Sequence, residues 1–595
     1  MDTSTSGGGR HRRRIRIAVP FAAAGLAAVV AGALLMSSAN AAPSATPPTP
    51  TVRPTHSTPS QATLEKRVAD AVAGDDIAGR TTRKASLSAG TNTARVDPKI
   101  IGGTTTTIST APWMAQLWYS DRNAGIGFFC GGSVVAPTKI LTAAHCVKGY
   151  DWKAHGAVVT GTAQLASGST LPSGATVSAP WRQWNHPSYS STTIDNDIAI
   201  ITLANPVSAK PIRMTTSGDT ASYASGTKAT LYGWGRTTST TQDISPALKT
   251  ATLPINSDAT CRTTYGTDFV AGHMVCAGTK ATGTDAGTTT ACNGDSGGPL
   301  IVNGRIVGVV SWGVEDCVAK GAYSVFSKVT TYAGAAYPRV EDTNLSGDHK
   351  ADLWVRNSST KTGYSKDSKG TSFAARVSWG GWAGVNTVVQ ADLNRDGYQD
   401  LVVRDSASGD IFWMHYVKSI DDWSTDKIFT NWKARTRIIA PGDITGDGLP
   451  DLLSVDSTGA MWEYPGKGNG TFSARIQVRT GWNQYNSIRG HGDFTGDGKP
   501  DLIARSSSGS YVYLYKGTGK TGSDAFSSRI KVRTWAGYDA FDAPGDVTGD
   551  GKADFLARTP GGTLYLYPGT GKATSEIFAT RISVGTDFKQ YDIFG

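Results

Sequence analysis

The chain has 595 residues, too many for one compact core, so two or more domains plus processing segments are expected. Seventy glycines, abundant Thr and Ser and short apolar runs exclude a helical bundle and favour an all-β protein. Of the formal net charge of +10, +7 falls in the first 99 residues, so the basic-surface argument goes when that segment is removed, and no nucleic-acid partner is expected.

Arg10, Arg12, Arg13, Arg14 and Arg16 precede an apolar run from about Ile17 to Met36, and Ala39-Asn40-Ala41 follows as a small-residue cleavage site. The pattern predicts a signal peptide over residues 1–41 and a secreted, extracellular protein. An uncleaved anchor is the alternative, against which Pro20 and the Ala-x-Ala site count. Residues 42–99, rich in Pro, Thr, Ser and Ala, lack sustained apolar periodicity and read as an exposed propeptide or linker. Cleavage between Lys99 and Ile100 would free an apolar amino terminus, Ile100-Ile101-Gly102-Gly103, whose ammonium needs a buried partner.

Six cysteines, all between Cys130 and Cys317 and none at metal-ligand spacing, predict three disulfides in an exported chain, with fifteen pairings open. Three segments supply the parts for acyl transfer: Thr142-Ala143-Ala144-His145-Cys146, Asp195-Asn196-Asp197-Ile198-Ala199 and Gly294-Asp295-Ser296-Gly297-Gly298-Pro299. A serine hydroxyl is a poor nucleophile near neutral pH and needs a base. His145 would take the Ser296 proton and return it to the departing amine, while Asp197 would fix the imidazole tautomer and stabilise its cation. Together with Cys130-Gly131-Gly132-Ser133, Gly233-Trp234-Gly235 and Ser311-Trp312-Gly313, these segments make residues 100–338 resemble the trypsin/chymotrypsin-like serine proteases.

The resemblance implies a chymotrypsin-like double β-barrel and a serine endopeptidase of protein or peptide substrates, with no cofactor for catalysis. It implies an oxyanion hole from the backbone N–H groups of Gly294 and Ser296. It also implies a zymogen, activated when Asp295 pairs with the freed ammonium of Ile100. The implied disulfides are Cys130 with Cys146, Cys261 with Cys276 and Cys292 with Cys317, the last closing a loop worth about 3 kcal/mol.

The specificity pocket departs from the family pattern. Trypsin-like members carry an aspartate six residues before the nucleophile; this chain has Thr290. Ser311, Trp312, Gly313 and Gly321 match the pocket wall, so an open pocket taking a bulky apolar or aromatic side chain is expected. Glu315 and Asp316 in the adjacent wall are the competing signal for a basic residue.

Beyond the cysteines five copies of a loop recur, beginning at Asn344, Asp392, Asp443, Asp493 and Asp546, at spacings of 48, 51, 50 and 53 residues. Oxygen-bearing side chains at positions 1, 3, 5 and 9, a glycine at 6 and a carbonyl at 7 suit calcium. The sets are Asp392, Asn394, Asp396, Tyr398 and Asp400; Asp443, Thr445, Asp447, Leu449 and Asp451; Asp493, Thr495, Asp497, Lys499 and Asp501; and Asp546, Thr548, Asp550, Lys552 and Asp554. Repeat one departs at Asn344 and His349, and an Asp/Gly turn without an ion is the alternative throughout.

Strand-like runs such as Tyr511-Val512-Tyr513-Leu514-Tyr515 follow the loops, and the pattern resembles the FG-GAP/VCBS repeats of β-propellers. That implies a propeller of five blades over residues 339–595, closed by a strand near Tyr591 to Phe594. Trp382, Trp432, Trp482 and Trp535 read as repeated core residues. Three functions stay open: an endopeptidase held by its propeller on a polysaccharide, cell surface or protein; a binding protein with a silent protease domain; and repeats that only stabilise or oligomerise the enzyme.

Overall fold

The computed structural model describes residues 47–54, 57–73, 100–167, 170–241, 243–314, 317–341, 344–348 and 350–595, and strands dominate them. The expected signal peptide, Lys99, Glu315, Asp316 and His349 lie outside the described residues.

Seven antiparallel strands form a first sheet in the order Thr176–Ser178, Gly156–Thr160, Met114–Asp121, Ile126–Ala136, Lys139–Thr142, Ala199–Leu203, Pro180–Asn185. Alternation along Met114–Asp121 sends Ala115, Leu117 and Tyr119 into one core and Met114 and Trp118 into another on the opposite face. That opposite face is covered by the helix Gln61–Val72, whose N-cap Ser60 hydroxyl accepts from the Thr63 N–H at 3.2 Å. Leu64, Val68 and Ala71, at i, i+4 and i+7, are buried there. Fully burying a leucine or valine is worth about 1.5–3 kcal/mol.

Residues 42–99 read from the sequence as an exposed segment, whereas Gln61–Val72 is a helix with one face buried. Its stripe holds three apolar residues among Gln, Glu, Lys, Arg and Asp, too short to register as sustained periodicity.

A second sheet runs in the order Thr104–Thr105, Lys249–Pro254, Lys228–Gly233, Pro299–Val302, Arg305–Trp312, Ser324–Lys328, Met274–Ala277. The short strand Arg213–Met214 joins Arg305–Trp312 in parallel. The two sheets are the half-barrels of a chymotrypsin-like fold, and the helix Val329–Val340 leads out of the second.

Five four-stranded sheets follow, the blades of a propeller. In blades two to five the recurring loop joins the first strand to the second, as between Arg435–Gly442 and Asp451–Asp456. In blade one the strand Leu353–Asn357 pairs with Tyr591–Phe594, so the C-terminal strand closes the ring as the sequence implied. Trp382, Trp432, Trp482 and Trp535 are all buried in blade cores.

The loop end of the propeller meets the half-barrels, and all described residues belong to one unit. Arg213 Nη1 and Arg305 Nη2 donate to the Gly446 carbonyl at 3.0 and 2.9 Å. Arg339, on the helix Val329–Val340, donates to the Gly549 carbonyl at 2.9 Å and pairs with Asp546 at 3.3 Å. Glu341 pairs with Arg395. Among the described residues no helix is long and apolar enough to cross a membrane.

Candidate active site

Strand register brings two distant segments together. Thr142, at the end of Lys139–Thr142, pairs with Ala199, at the start of Ala199–Leu203. His145 stands just beyond the first strand and Asp197 just before the second, so 52 residues of sequence collapse to a contact. His145 Nδ1 lies 2.8 Å from Asp197 Oδ2, and the His145 backbone N–H donates to Oδ1 at 2.8 Å. Ser311 donates from its hydroxyl to Oδ2 at 2.6 Å, and Ser327 donates to the Asp197 carbonyl at 2.5 Å. With Asp197 fully buried, this cage fixes which imidazole nitrogen carries the proton and leaves Nε2 free of hydrogen bonds among the described residues.

Ser296 sits on the loop 292–298, which is strung between the half-barrels. Gly131 N–H, from the first, donates to the Ser296 carbonyl at 2.8 Å; Gly297 N–H donates to Val310 of the second at 2.9 Å. Gly294 adopts φ +88°, and a Cβ there would come within 2.7 Å of Ile244 Cγ2, so both conformation and space require glycine. The six cysteines pair as Cys130–Cys146, Cys261–Cys276 and Cys292–Cys317. The first ties the His145 turn to the strand carrying Gly131, and the third ends at the base of the Ser296 loop. Cys130, His145 and Cys146 cluster closely enough to suggest a metal, but both sulfurs are consumed by a disulfide.

Asp295 is buried and accepts from the Gly235 N–H at 2.8 Å and the Cys292 N–H at 2.9 Å. Burial drives its carboxyl well above the ordinary range, against the pull of the Gly235 hydrogen bond. Among the described residues no cation pairs with it. Ile100, the residue expected to supply one, is buried in the core of the second half-barrel, and Ile101 bridges to Thr290.

Comparison with known proteins agrees with this geometry. The trypsin family model matches residues 100–335, and the FG-GAP-like repeat matches residues 392–454 and 493–557. A trypsin of Saccharopolyspora erythraea is 38% identical over 233 residues, which is 39% of this chain and 94% of the relative. A trypsin of Sus scrofa is 32% identical over 240 residues, 40% of this chain and 93% of the relative. The chain belongs to the trypsin family. It is a serine endopeptidase, acts on protein or peptide substrates, and carries FG-GAP repeats as a five-bladed propeller.

Within this trypsin-family fold, Thr290 is buried and neutral. Its hydroxyl shares a 2.8 Å hydrogen bond with Ser324, which also accepts from the Ala291 N–H at 2.8 Å. A Cβ built on Gly313 or Gly321 would meet no atom within 4 Å, so both border open space. Trp312 is buried against Tyr265. Ser311, expected in the pocket wall, donates its hydroxyl to Asp197.

The recurring loops of this trypsin-family chain hold carboxylates at positions 1, 5 and 9. At position 9 the oxygens clasp backbone amides: Asp451 accepts from Ile444, Thr445 and Gly466, and Asp501 from Phe494, Thr495 and Gly517, at 2.9–3.0 Å. Asp352 does the same for Ser346 and Ser368 in repeat one. The position-1 carboxylates clasp amides too, Asp443 accepting from the Gly446, Asp447 and Gly448 N–H groups at 2.6–3.0 Å, and they feel the charge of position 5. Asp443, Asp493 and Asp546 are pushed up to about 6, by burial first; Glu341 and then Asp447 add to it at Asp443, Asp497 at Asp493 and Asp550 at Asp546. Asp392 is raised likewise, by burial and then by Asp396. Like charges held together out of water are a donor set that a hard cation would relieve.

Proposed function

We propose that the chain is a secreted zymogen whose catalytic residues are His145, Asp197 and Ser296. Ser296 attacks the scissile carbonyl while His145 Nε2 takes its proton. The imidazolium, stabilised by Asp197, returns that proton to the departing amine, and water then releases the acyl-enzyme by the same steps in reverse. The N–H groups of Gly294 and Ser296 hold the oxyanion.

The observation that carries the zymogen reading is the buried Asp295 carboxyl, raised well above its ordinary range and without a cationic partner among the described residues. Cutting Lys99–Ile100 supplies an ammonium within an already buried segment, and the new ion pair fixes the loop that carries Ser296. The neutral Thr290–Ser324 pair and the open space at Gly313 and Gly321 support a bulky apolar or aromatic substrate residue. A second protease then makes the cut after Lys99.

Calcium fits positions 1, 3, 5 and 9 and the carbonyl of 7 in repeats two to five: Asp392, Asn394, Asp396, Tyr398 and Asp400, and their counterparts in the later loops. When bound it would supply the positive charge that these carboxylates lack, stiffening the propeller rather than entering the chemical step. Asp400, Asp451, Asp501 and Asp554 at position 9 would complete the sets: Asp400 Oδ1 is buried without a hydrogen bond among the described residues, and the other three also brace the loop amides. The propeller would carry the enzyme to a polysaccharide, a cell surface or a protein substrate.

The test is to cleave the purified secreted protein at Lys99 and profile peptide hydrolysis against Ser296→Ala. Hydrolysis confined to the cut wild type, after aromatic or large apolar residues, is the expected result. Equal activity before and after the cut overturns the zymogen reading, and equal silence of both proteins overturns the catalytic one.

A further inference from the structure

Residues 51–52 and the helix Gln61–Val72 touch different halves of the molecule. The helix Gln61–Val72 seals the outer face of the first half-barrel, where Leu64, Val68 and Ala71 share a core with Met114, Trp118 and Phe129. Polar contacts fasten its flank: Arg67 Nη1 donates to the Gly156 and Lys153 carbonyls at 2.9 and 3.2 Å, and Asp70 pairs with Arg122. Upstream, the same segment lies on the propeller. Trp423 Nε1 donates to the Val52 carbonyl at 2.6 Å, Thr51 donates to the Ser378 carbonyl at 3.3 Å, and Val52 packs on the core holding Trp379 and Trp423.

We propose that this segment is a permanent non-covalent light chain, retained after the stretch 74–99 is cut and joining the first half-barrel to the propeller. The inference rests on the zymogen reading only in that the Lys99–Ile100 cut is what frees the segment. Three observations carry it. A twelve-residue helix is marginal alone in water, so its order comes from the face it covers. That face holds Trp118, Phe129 and Met114, and losing the helix would bare a contiguous apolar patch on a secreted enzyme. Residues 1–99 contain no cysteine, so no disulfide can tether the segment and packing alone must hold it. Two separate footholds, one on each half, make each the other's tether and slow escape of the whole.

The experiment uses the full secreted chain bearing Ser296→Ala, nicked briefly with trypsin, which has Arg80, Arg83, Lys84, Arg95 and Lys99 to attack between the helix and Ile100. Size exclusion with intact-mass analysis then asks whether a fragment containing residues 47–73 elutes with the body that begins at Ile100. Co-elution in native buffer and separation in urea is the expected result; a fragment that leaves in native buffer overturns the proposal. Val68→Asp, nicked in the same way, is expected to weaken retention at least tenfold. Hydrogen exchange on the nicked Ser296→Ala protein supplies a readout that needs no helix variant: protection of residues 61–72 unchanged by the nick supports the proposal, and its loss overturns it. Peptide hydrolysis by nicked wild type separates the two readings. Retention without activity sinks the zymogen reading alone, and activity with release sinks this one alone.

Discussion

Ser311 donates its hydroxyl at 2.6 Å to Asp197 Oδ2, the oxygen that His145 Nδ1 also contacts at 2.8 Å. One carboxylate oxygen is thus oriented by two partners, and Ser311 acts on the imidazole through Asp197. Ser311→Ala is expected to lower kcat about tenfold with little change in melting temperature, because the buried carboxylate keeps the His145 N–H contacts that hold it. Steady-state kinetics on the protein cleaved at Lys99, the form proposed to be active, check this; a change confined to KM would instead assign Ser311 to the pocket wall.

Thr290 offers the sharpest test of specificity. Its hydroxyl, buried beside Ser324, would contribute no charge to the proposed pocket. Thr290→Asp places a carboxylate there with the Ser324 hydroxyl still available to donate. The ratio of kcat/KM for lysine or arginine substrates to that for phenylalanine substrates should rise roughly a hundredfold. A ratio unchanged from wild type would put the selecting group elsewhere in the wall.

How far these features are legible in the sequence depends on how tightly chemistry ties residue type to spacing. His145 and Asp197 stand out because the proposed acyl transfer would need their chemistry, and the flanking strands pair in a fixed register. The propeller is recognisable because five copies of one loop recur. The helix over Gln61–Val72 is not, since three apolar residues at helical spacing do not stand out from a polar segment. The hydrogen bond from Ser311 to Asp197 spans 114 residues, and nothing local marks it. The amide clasp of Asp451 is hidden for another reason: a carboxylate at position 9 looks the same whether it faces an ion or the Gly466 N–H. Arg213, Arg305 and Arg339 are ordinary arginines in the sequence and become interface residues only when the ring of loops closes beneath them.

Glu463 gives the propeller a pH dependence of its own. Its side chain is buried, Oε2 accepts from the Gly522 N–H at 3.1 Å, and Oε1 has no hydrogen bond among the described residues. Burial raises its carboxyl from 4.5 to about 6. Because the folded value lies above the unfolded one, the folded state holds the proton more tightly. The stabilisation is therefore complete below about pH 4.5 and is lost as pH rises through about 6. Urea denaturation of Glu463→Gln should show about 1 kcal/mol less change in stability between pH 4.5 and pH 8 than wild type. Parallel curves for the two proteins would remove Glu463 as the source.

The helix Val329–Val340 meets the propeller at a residue with no side chain. A Cβ on Gly334 would lie 2.0 Å from the Gly496 carbonyl oxygen, in the fourth recurring loop, so helix and loop approach backbone to backbone. Gly334→Ala must push them apart. Arg339, farther along the same helix, would then lose its reach to the Gly549 carbonyl at 2.9 Å and to Asp546 at 3.3 Å. Alanine favours a helix over glycine by about 1 kcal/mol, but overpacking at a fixed contact costs about 1–3 kcal/mol, so the net change is expected to be destabilising. The cost should fall on the coupling between half-barrels and propeller rather than on either alone. Wild type is expected to unfold in urea with coincident transitions from probes in the two parts, and Gly334→Ala with separated ones. Coincident transitions in the variant would mean that the helix contact does not hold the two together.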